Sequence, residues 1–306
     1  MAIGPLTNSE MATFMNCRRG WWLSYYRRLR RKHDMPSLPN IGNMYHAGLE
    51  GYYNETLDDP ALYVHDLAVQ LTEEHPEFAD QIMKDAEYAE IMLSGYLEWV
   101  EEEGADVGLR VIGAEQSVEI SLDGTPYRLR GKIDTRMERE ADGALLQLEH
   151  KTVGNLSDIP KYAQSAPQFL TYDLLAFLLA KEEGGRATDG VILNMARRVK
   201  RTRAAKPPFY GRHEVRHNVD ELRNHWKHVV GIGKEIQRVT DLLDAGISHH
   251  EACPPRVDRS HLWSCSCAPI TAMIDDGSDF EGFLTDLYED YNPWARYDDP
   301  EEEEAA

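Results

Sequence analysis

Asp134, Glu149 and Lys151 are residues whose types and spacing suit joint chemistry. Two carboxylates held close together cannot both stay ionised cheaply, since each raises the other's pKa. A divalent cation resolves that conflict. Two carboxylates completed by water and a backbone oxygen form the hard, oxygen-rich surroundings that Mg²⁺ or Mn²⁺ prefers. Lys151, close behind Glu149 in the chain, would then orient or deprotonate an attacking water, or stabilise the charge that builds on a phosphorus centre. An Asp followed by Glu-x-Lys is a spacing of metal-dependent phosphodiester hydrolysis, whereas an isolated E-x-K triplet on an exposed strand is commonly a surface ion pair.

These residues must be carried by strands that pair. Residues 111–122, 127–137 and 145–151 read as strands, separated by the turn pairs Asp123-Gly124 and Asp142-Gly143, which predicts a three-strand meander. Glycine at 124 and 143 tolerates the positive φ of such turns. Side chains alternate along a strand, so Tyr127, Leu129 and Ile133 share one face of the second and Arg128, Arg130, Lys132 and Asp134 the other. On the third strand Leu146 and Leu148 oppose Gln147, Glu149 and Lys151. Pairing through the short turn lets Asp134 approach Glu149 near a sheet edge or bend. A helix with Pro167 in its first turn and Gly184-Gly185 at its stop then leads to a strand over 191–195. That crossover predicts an α/β fold with a central mixed sheet. A long helix over about 219–245 follows. Upstream, 8–33 reads as one helix capped by Asn8 or Ser9, a second helix runs over 44–53, and 60–103 suits further helices.

Composition bounds the function. A chain of 306 residues with 42% hydrophobic content builds a real core, which excludes disorder throughout. The net charge of −20 argues against a nucleic-acid partner only at first sight, because the segment from Asp275 onward carries −12 of it. Cations cluster elsewhere: Arg18, Arg19, Arg27, Arg28, Arg30, Arg31 and Lys32 in one stretch, Arg197, Arg198, Lys200, Arg201, Arg203 and Lys206 in another. The first ten residues lack the basic start and apolar core of a signal peptide, and the longest apolar stretch, 169–180, is short and contains Asp173. A soluble, cytoplasmic protein with no membrane partner is the expectation. The glutamates at 301–304 read as a disordered tail. Four cysteines, three of them between 253 and 267, do not make a secreted disulfide scaffold and raise the question of metal binding.

Taken together, G-K-I-D at 131–134, L-E-H-K-T at 148–152, Q-F-L-T-Y at 168–172 and G-N-M-Y-H-A-G-L-E at 42–50 resemble, in order, the motifs of the PD-(D/E)XK nuclease superfamily. The likeness runs from about Ser9 to Gly277 and is greatest to the RecB-like branch, which includes phage recombination exonucleases, the AddB nuclease domain and CRISPR-associated adaptation nucleases. The resemblance implies that His46, Asp134, Glu149 and the backbone carbonyl of His150 ligate the metal and that Lys151 is the catalytic lysine. It also implies that Gln168 and Tyr172 contact the DNA strand, with Glu115 matching a family acid before the first hairpin. The basic clusters would neutralise phosphate. Trp21, Trp22, Tyr25 and Tyr26 would divide between stacking on single-stranded bases and core packing.

Relatives of this kind often hold a 4Fe-4S cluster with one upstream and three downstream cysteines, which here implies Cys17, Cys253, Cys265 and Cys267. The downstream segment, H-L-W-S-C-S-C, departs from the family pattern by placing His261 where a cysteine is expected. A cluster, a zinc site and free thiols all stay open. The expected organisation is a helical N-terminal region (1–104), a nuclease core (105–245), a cysteine segment (246–280) and an acidic tail (281–306). The expected function is a Mg²⁺- or Mn²⁺-dependent DNA exonuclease, phage-encoded, acting on single strands or duplex ends in recombination, replication or repair, as a homo-oligomer or with a recombination partner protein. Trimming of CRISPR spacer precursors and non-catalytic DNA binding on the same fold are the alternatives.

Overall fold

The computed structural model describes residues 4–32, 40–256, 265 and 267–297, with the side chains of residues 114–116, 183 and 296 outside the described set. The strands are β1 (Leu6–Thr7), β2 (Leu29–Arg31), β3 (Leu109–Ser121), β4 (Arg128–Arg139), β5 (Ala144–Val153), β6 (Gly190–Arg197), β7 (Tyr210–Val215) and β8 (Tyr288–Asp290). The α-helices are α1 (Asn8–Asn16), α2 (Arg18–Trp21), α3 (Ile41–Tyr53), α4 (Pro60–Glu74), α5 (Ala79–Glu103), α6 (Pro167–Glu183), α7 (Val219–Asp244), α8 (His249–Ala252), α9 (Thr271–Asp275) and α10 (Phe280–Leu287). The backbone divides into two compact units, one of Ser37–Val118 and Lys132–Arg223, the other of Met1–Pro36, Glu119–Gly131 and Asn224–Ala306.

The first of these units is built on a mixed sheet in the order β3-β4-β5-β6-β7. β4 and β5 form the expected antiparallel hairpin, β5 and β6 run parallel, and β7 returns antiparallel to β6. The parallel step follows from the α6 crossover. Gly143 has φ 68° at its turn, and Gly124, at the β3–β4 turn, has φ 69°, as the turn sequences require. On one face Phe169, Ala163 and Ala166 pack against Val191, Leu193, Met195 and Val153. α3, α4 and α5 pack on one another, and α3 and α5 reach β5 and β6. With helices over it, β6 is buried from Gly190 to Ala196 and reads as a continuous apolar run broken only by Asn194. β7 was not legible in advance: Tyr-Gly-Arg-His-Glu-Val lacks a clean apolar alternation and takes its structure from pairing with β6.

In the other unit the helix expected over 8–33 is broken. Thr7, not Asn8 or Ser9, caps α1, its hydroxyl accepting the Glu10 N–H at 3.2 Å. Cys17 then adopts an extended conformation (φ −156°, ψ 110°), ending α1 and capping α2 through its sulfur, which accepts the Gly20 N–H at 3.3 Å. A wide five-residue turn over Trp22–Tyr26 follows, and the chain leaves as β2, antiparallel to β8. Apolar periodicity continues through Cys17, so the break has no periodic signature. β1 pairs in parallel with the start of β4, Leu6 opposite Leu129 and Thr7 opposite Arg130. No helix among the described residues is long and apolar enough to cross a membrane. The glutamates 301–304 lie outside the described residues.

Candidate active site and cysteine site

The β4–β5 register sets the acidic pair. Thr135 lies opposite Leu148 and Arg136 opposite Gln147, so the same register carried one step further sets Asp134 across from Glu149. There the ladder gives way: the backbone N–H of His150 donates to Asp134 Oδ2 at 2.9 Å. His46, on α3, places Nδ1 3.6 Å from the same oxygen. Lys151 Nζ lies 2.5 Å from Glu149 Oε1, which also accepts from Gln168 Nε2 at 3.1 Å. The second Gln168 amide hydrogen goes to the Tyr172 hydroxyl at 3.0 Å, so the four-residue spacing on α6 does bring this pair together. Tyr172 is buried. Glu115 lies on β3, and its side chain is outside the described residues.

The two acids differ in their electrostatics. Glu149 is 4% exposed, and burial together with the charge of Asp134 pushes its pKa up to about 7 against the pull of Lys151. Burial also opposes the charge on Asp134, but the protonated His46 imidazole 3.6 Å away outweighs it and holds this carboxyl well below the usual range. The two carboxylates correspondingly raise the pKa of His46, against its burial. The types of these donors, an imidazole and two mutually repelling carboxylates, suit a hard divalent cation, whose charge would relieve the repulsion that raises Glu149, although their ligand atoms do not all lie within 4.8 Å of one another.

Behind the acids lies a network the sequence did not reveal. The sheet register aligns His150 with Asn194 and Asn194 with Arg212. Arg212 can only donate, so its 3.1 Å bond from Nε fixes the Asn194 oxygen, and Asn194 Nδ2 then donates to the Tyr96 hydroxyl at 2.8 Å and to His150 Nδ1 at 2.9 Å. The His150 proton must therefore reside on Nε2. Burial pushes the pKa of this imidazole down to about 3, keeping it neutral. Arg212 also donates to Asp106 at 2.5 Å and to Tyr53 at 3.1 Å, and Tyr53 stacks on His150 with ring centroids 5.6 Å apart. The trace of this network in the sequence is one polar residue, Asn194, inside the apolar run of β6.

Among the described residues, one group of three or more His, Cys, Asp or Glu has ligand atoms all within 4.8 Å of one another: Cys17, Cys265 and Cys267. Cys267 Sγ is 3.8 Å from Cys17 Sγ and 3.2 Å from Cys265 Sγ. Cys253 is buried but outside this group, and His261 lies outside the described residues. Bonds from the Cys265 and Cys267 thiols hold Cys17 far below the usual thiol range, while their bonding to Cys17 raises their own pKa values. Three convergent sulfurs, one of them readily a thiolate, suit a soft metal centre.

The basic clusters turn out differently from expectation. Arg18 pairs with Glu235, Arg19 with Asp275, Arg27 with Glu281 and Arg30 with Glu289; Lys200 pairs with Glu87 and Arg201 with Glu98. Much of the charge read as a phosphate-neutralising surface is met by acids of the protein itself. Trp21 and Trp22 are buried, whereas Tyr25 and Tyr26 are half-buried.

A family model for the PD-(D/E)XK nuclease superfamily matches residues 5–257, and the chain belongs to that superfamily. The fold is similar to that of a candidate exonuclease from Eubacterium rectale, 13% identical over 87% of this chain and 88% of that one, with a TM-score of 0.51. The solved structure of SSO0001 is 16% identical over 66% of this chain and 79% of its own, and its TM-score of 0.31 is too low to bear on the fold. No curated protein matches the sequence.

Proposed function

We propose that the protein is a Mg²⁺- or Mn²⁺-dependent exonuclease that hydrolyses DNA phosphodiester bonds, with His46, Asp134, Glu149 and the backbone carbonyl of His150 as metal ligands. The observation that carries this reading is the arrangement on neighbouring strands of Asp134, with His46 3.6 Å from its Oδ2 and the His150 N–H on the same oxygen, and of Glu149, with Lys151 and Gln168 on its Oε1. A divalent cation held by these residues would supply Lewis-acid polarisation of the phosphodiester and a more acidic attacking water. Lys151 orients that water and stabilises charge developing on the phosphoryl oxygens. Gln168 holds Glu149 in place and, with the Tyr172 hydroxyl, contacts the scissile strand; Glu115 joins the DNA contacts. The neutral His150 imidazole, locked by Asn194, fixes the backbone between the acid and the lysine.

End-labelled single-stranded and duplex DNA, digested with Mg²⁺ or Mn²⁺, tests the reading. Lys151→Ala and Glu149→Ala should each lose on the order of 10²- to 10⁴-fold in rate. Equal cleavage by both variants and wild type would remove the site.

The reading includes a phage-encoded origin, a role in DNA recombination, replication or repair in the host cytoplasm, and a 4Fe-4S cluster on Cys17, Cys253, Cys265 and Cys267. The convergence of three of these sulfurs supports a metal centre. A brown anaerobic preparation with visible iron–sulfur absorbance is the expected result. A colourless protein with stoichiometric zinc would replace the cluster by a zinc site.

A further inference from the structure

The unit containing the cysteines has a cavity of about 150 Å³, open to solvent on one side. A cavity of about this volume is enough for one six-membered aromatic ring. Its walls are aromatic, with Trp21, Tyr25, Tyr127 and Trp294 among them, and Trp294 and Tyr25 lie with ring centroids 6.0 Å apart. Flat heterocycles gain from such walls by stacking and edge contacts.

Beside the aromatic rings, the lining includes Glu10, Arg28, Gln237, Thr240 and Asp244. Glu10 is 3% exposed; its Oε1 accepts from the Trp21 indole N–H at 3.0 Å and its Oε2 from the Trp294 indole N–H at 3.3 Å. Both partners are neutral. Each oxygen keeps a further lone pair, so the carboxyl presents a fixed, planar edge to a ligand. Gln237 also lines the cavity, and its buried Oε1 has no hydrogen-bond partner in the structure. A buried acceptor without a donor costs about 1–3 kcal/mol, which a ligand N–H would recover once the Gln237 side chain turns its covered oxygen towards the cavity. Arg28 completes the lining, its guanidinium 5.1 Å from the centre of the Trp294 ring. Asp244 also lines the cavity and accepts from the Tyr26 hydroxyl at 2.9 Å, so a negative group on an occupant would lie on the Arg28 side and away from this carboxylate.

We propose that this cavity binds an unpaired nucleobase of a phosphate-bearing strand, its ring between the aromatic walls, its N–H-bearing edge on Glu10 and Gln237, and its phosphate towards Arg28. Among bases the single-ring pyrimidines fit the volume best. Burial pushes the Glu10 pKa up to about 7. In its acid form Glu10 both donates and accepts, which matches the adjacent ring nitrogen and amino group of cytosine. The inference rests on the nuclease reading only for the source of the base.

Titration of the metal-free protein with dCMP, dTMP, dAMP and dGMP, followed through tryptophan fluorescence, tests it without any cleavage. Saturable quenching is expected, strongest for dCMP, with deoxyribose 5-phosphate producing none. Thr240→Met, which extends a lining side chain into the cavity, should weaken dCMP binding about tenfold or more while leaving the thermal midpoint within a few degrees of wild type. No saturable response to any nucleotide into the millimolar range overturns the proposal. So does an equal response to deoxyribose 5-phosphate, which would mean phosphate binding at Arg28 alone. Tighter binding of choline than of dCMP would make the cavity a cation cage and equally overturn it. Because no metal and no cleavage enter the measurement, failure here leaves the nuclease reading standing, and inactivity on DNA leaves this result standing.

Discussion

Glu10 and Glu149 are both buried carboxyls with pKa values pushed up to about 7, yet their surroundings assign them different tasks. Glu149 faces a second carboxylate and a lysine, a charged setting suited to a metal. Glu10 is buried among aromatic rings, and burial favours its neutral form although two indole N–H groups donate to it and pull the other way. A carboxyl that binds its proton more tightly in the fold than in the unfolded chain stabilises fully below its unfolded value, near 4.5, and loses that contribution as the pH rises through about 7. Glu10→Gln should therefore flatten the fall in stability between about pH 5 and about pH 8, a difference on the order of 3 kcal/mol by urea denaturation. Parallel pH profiles for wild type and variant would show that Glu10 does not titrate there. At Asn194, replacement by Leu leaves His150 Nδ1 and the Arg212 Nε–H without their shared partner. The expected cost is about 2–3 kcal/mol, with weaker Mn²⁺ binding by calorimetry if the network does position the backbone beside Glu149.

Among elements, the β6–β7 pair decides how the sheet continues beyond the acids. Gly190 opens β6 where a Cβ would meet the backbone oxygen of Val215 at 2.5 Å, and backbone cannot step aside cheaply. Gly190→Ala should separate the strand ends and cost about 1–3 kcal/mol, read as a lower urea midpoint with an unchanged slope. The hairpin of β4 and β5 was legible because alternation and Asp-Gly turns specify register locally. The break at Cys17 was not, because the reason for it, a sulfur aimed at two cysteines some 250 residues away, exists only after folding.

At the scale of the molecule, the distant ends of the chain meet within one unit. Arg19 is 1% exposed and makes a bidentate pair with Asp275, both bonds 2.8 Å. Arg27 and Glu281 form a similar pair in solvent. Removing the partner of a buried charge costs far more than breaking an exposed pair. Asp275→Asn should thus cost about 3 kcal/mol by denaturant titration, and Glu281→Gln under about 1 kcal/mol. Similar values for both would mean that water reaches Arg19. The acidic C-terminal charge that looked like a simple solvated tail partly serves to neutralise the N-terminal arginines.

The sequence by itself determined the superfamily, the mixed sheet and the β4–β5 hairpin that carries Asp134, Glu149 and Lys151. These rest on period-two alternation, turn chemistry and residues at fixed spacing along one hairpin, all of which are local. Only the tertiary structure decided that many of the clustered arginines meet acids, that His150 is locked by Asn194 and Arg212, that the sulfurs of Cys17, Cys265 and Cys267 converge, and that Glu10 lines an aromatic cavity. Those outcomes join residues tens to hundreds of positions apart, and the free energy of a buried charge or hydrogen bond depends on a partner that spacing along the chain does not name.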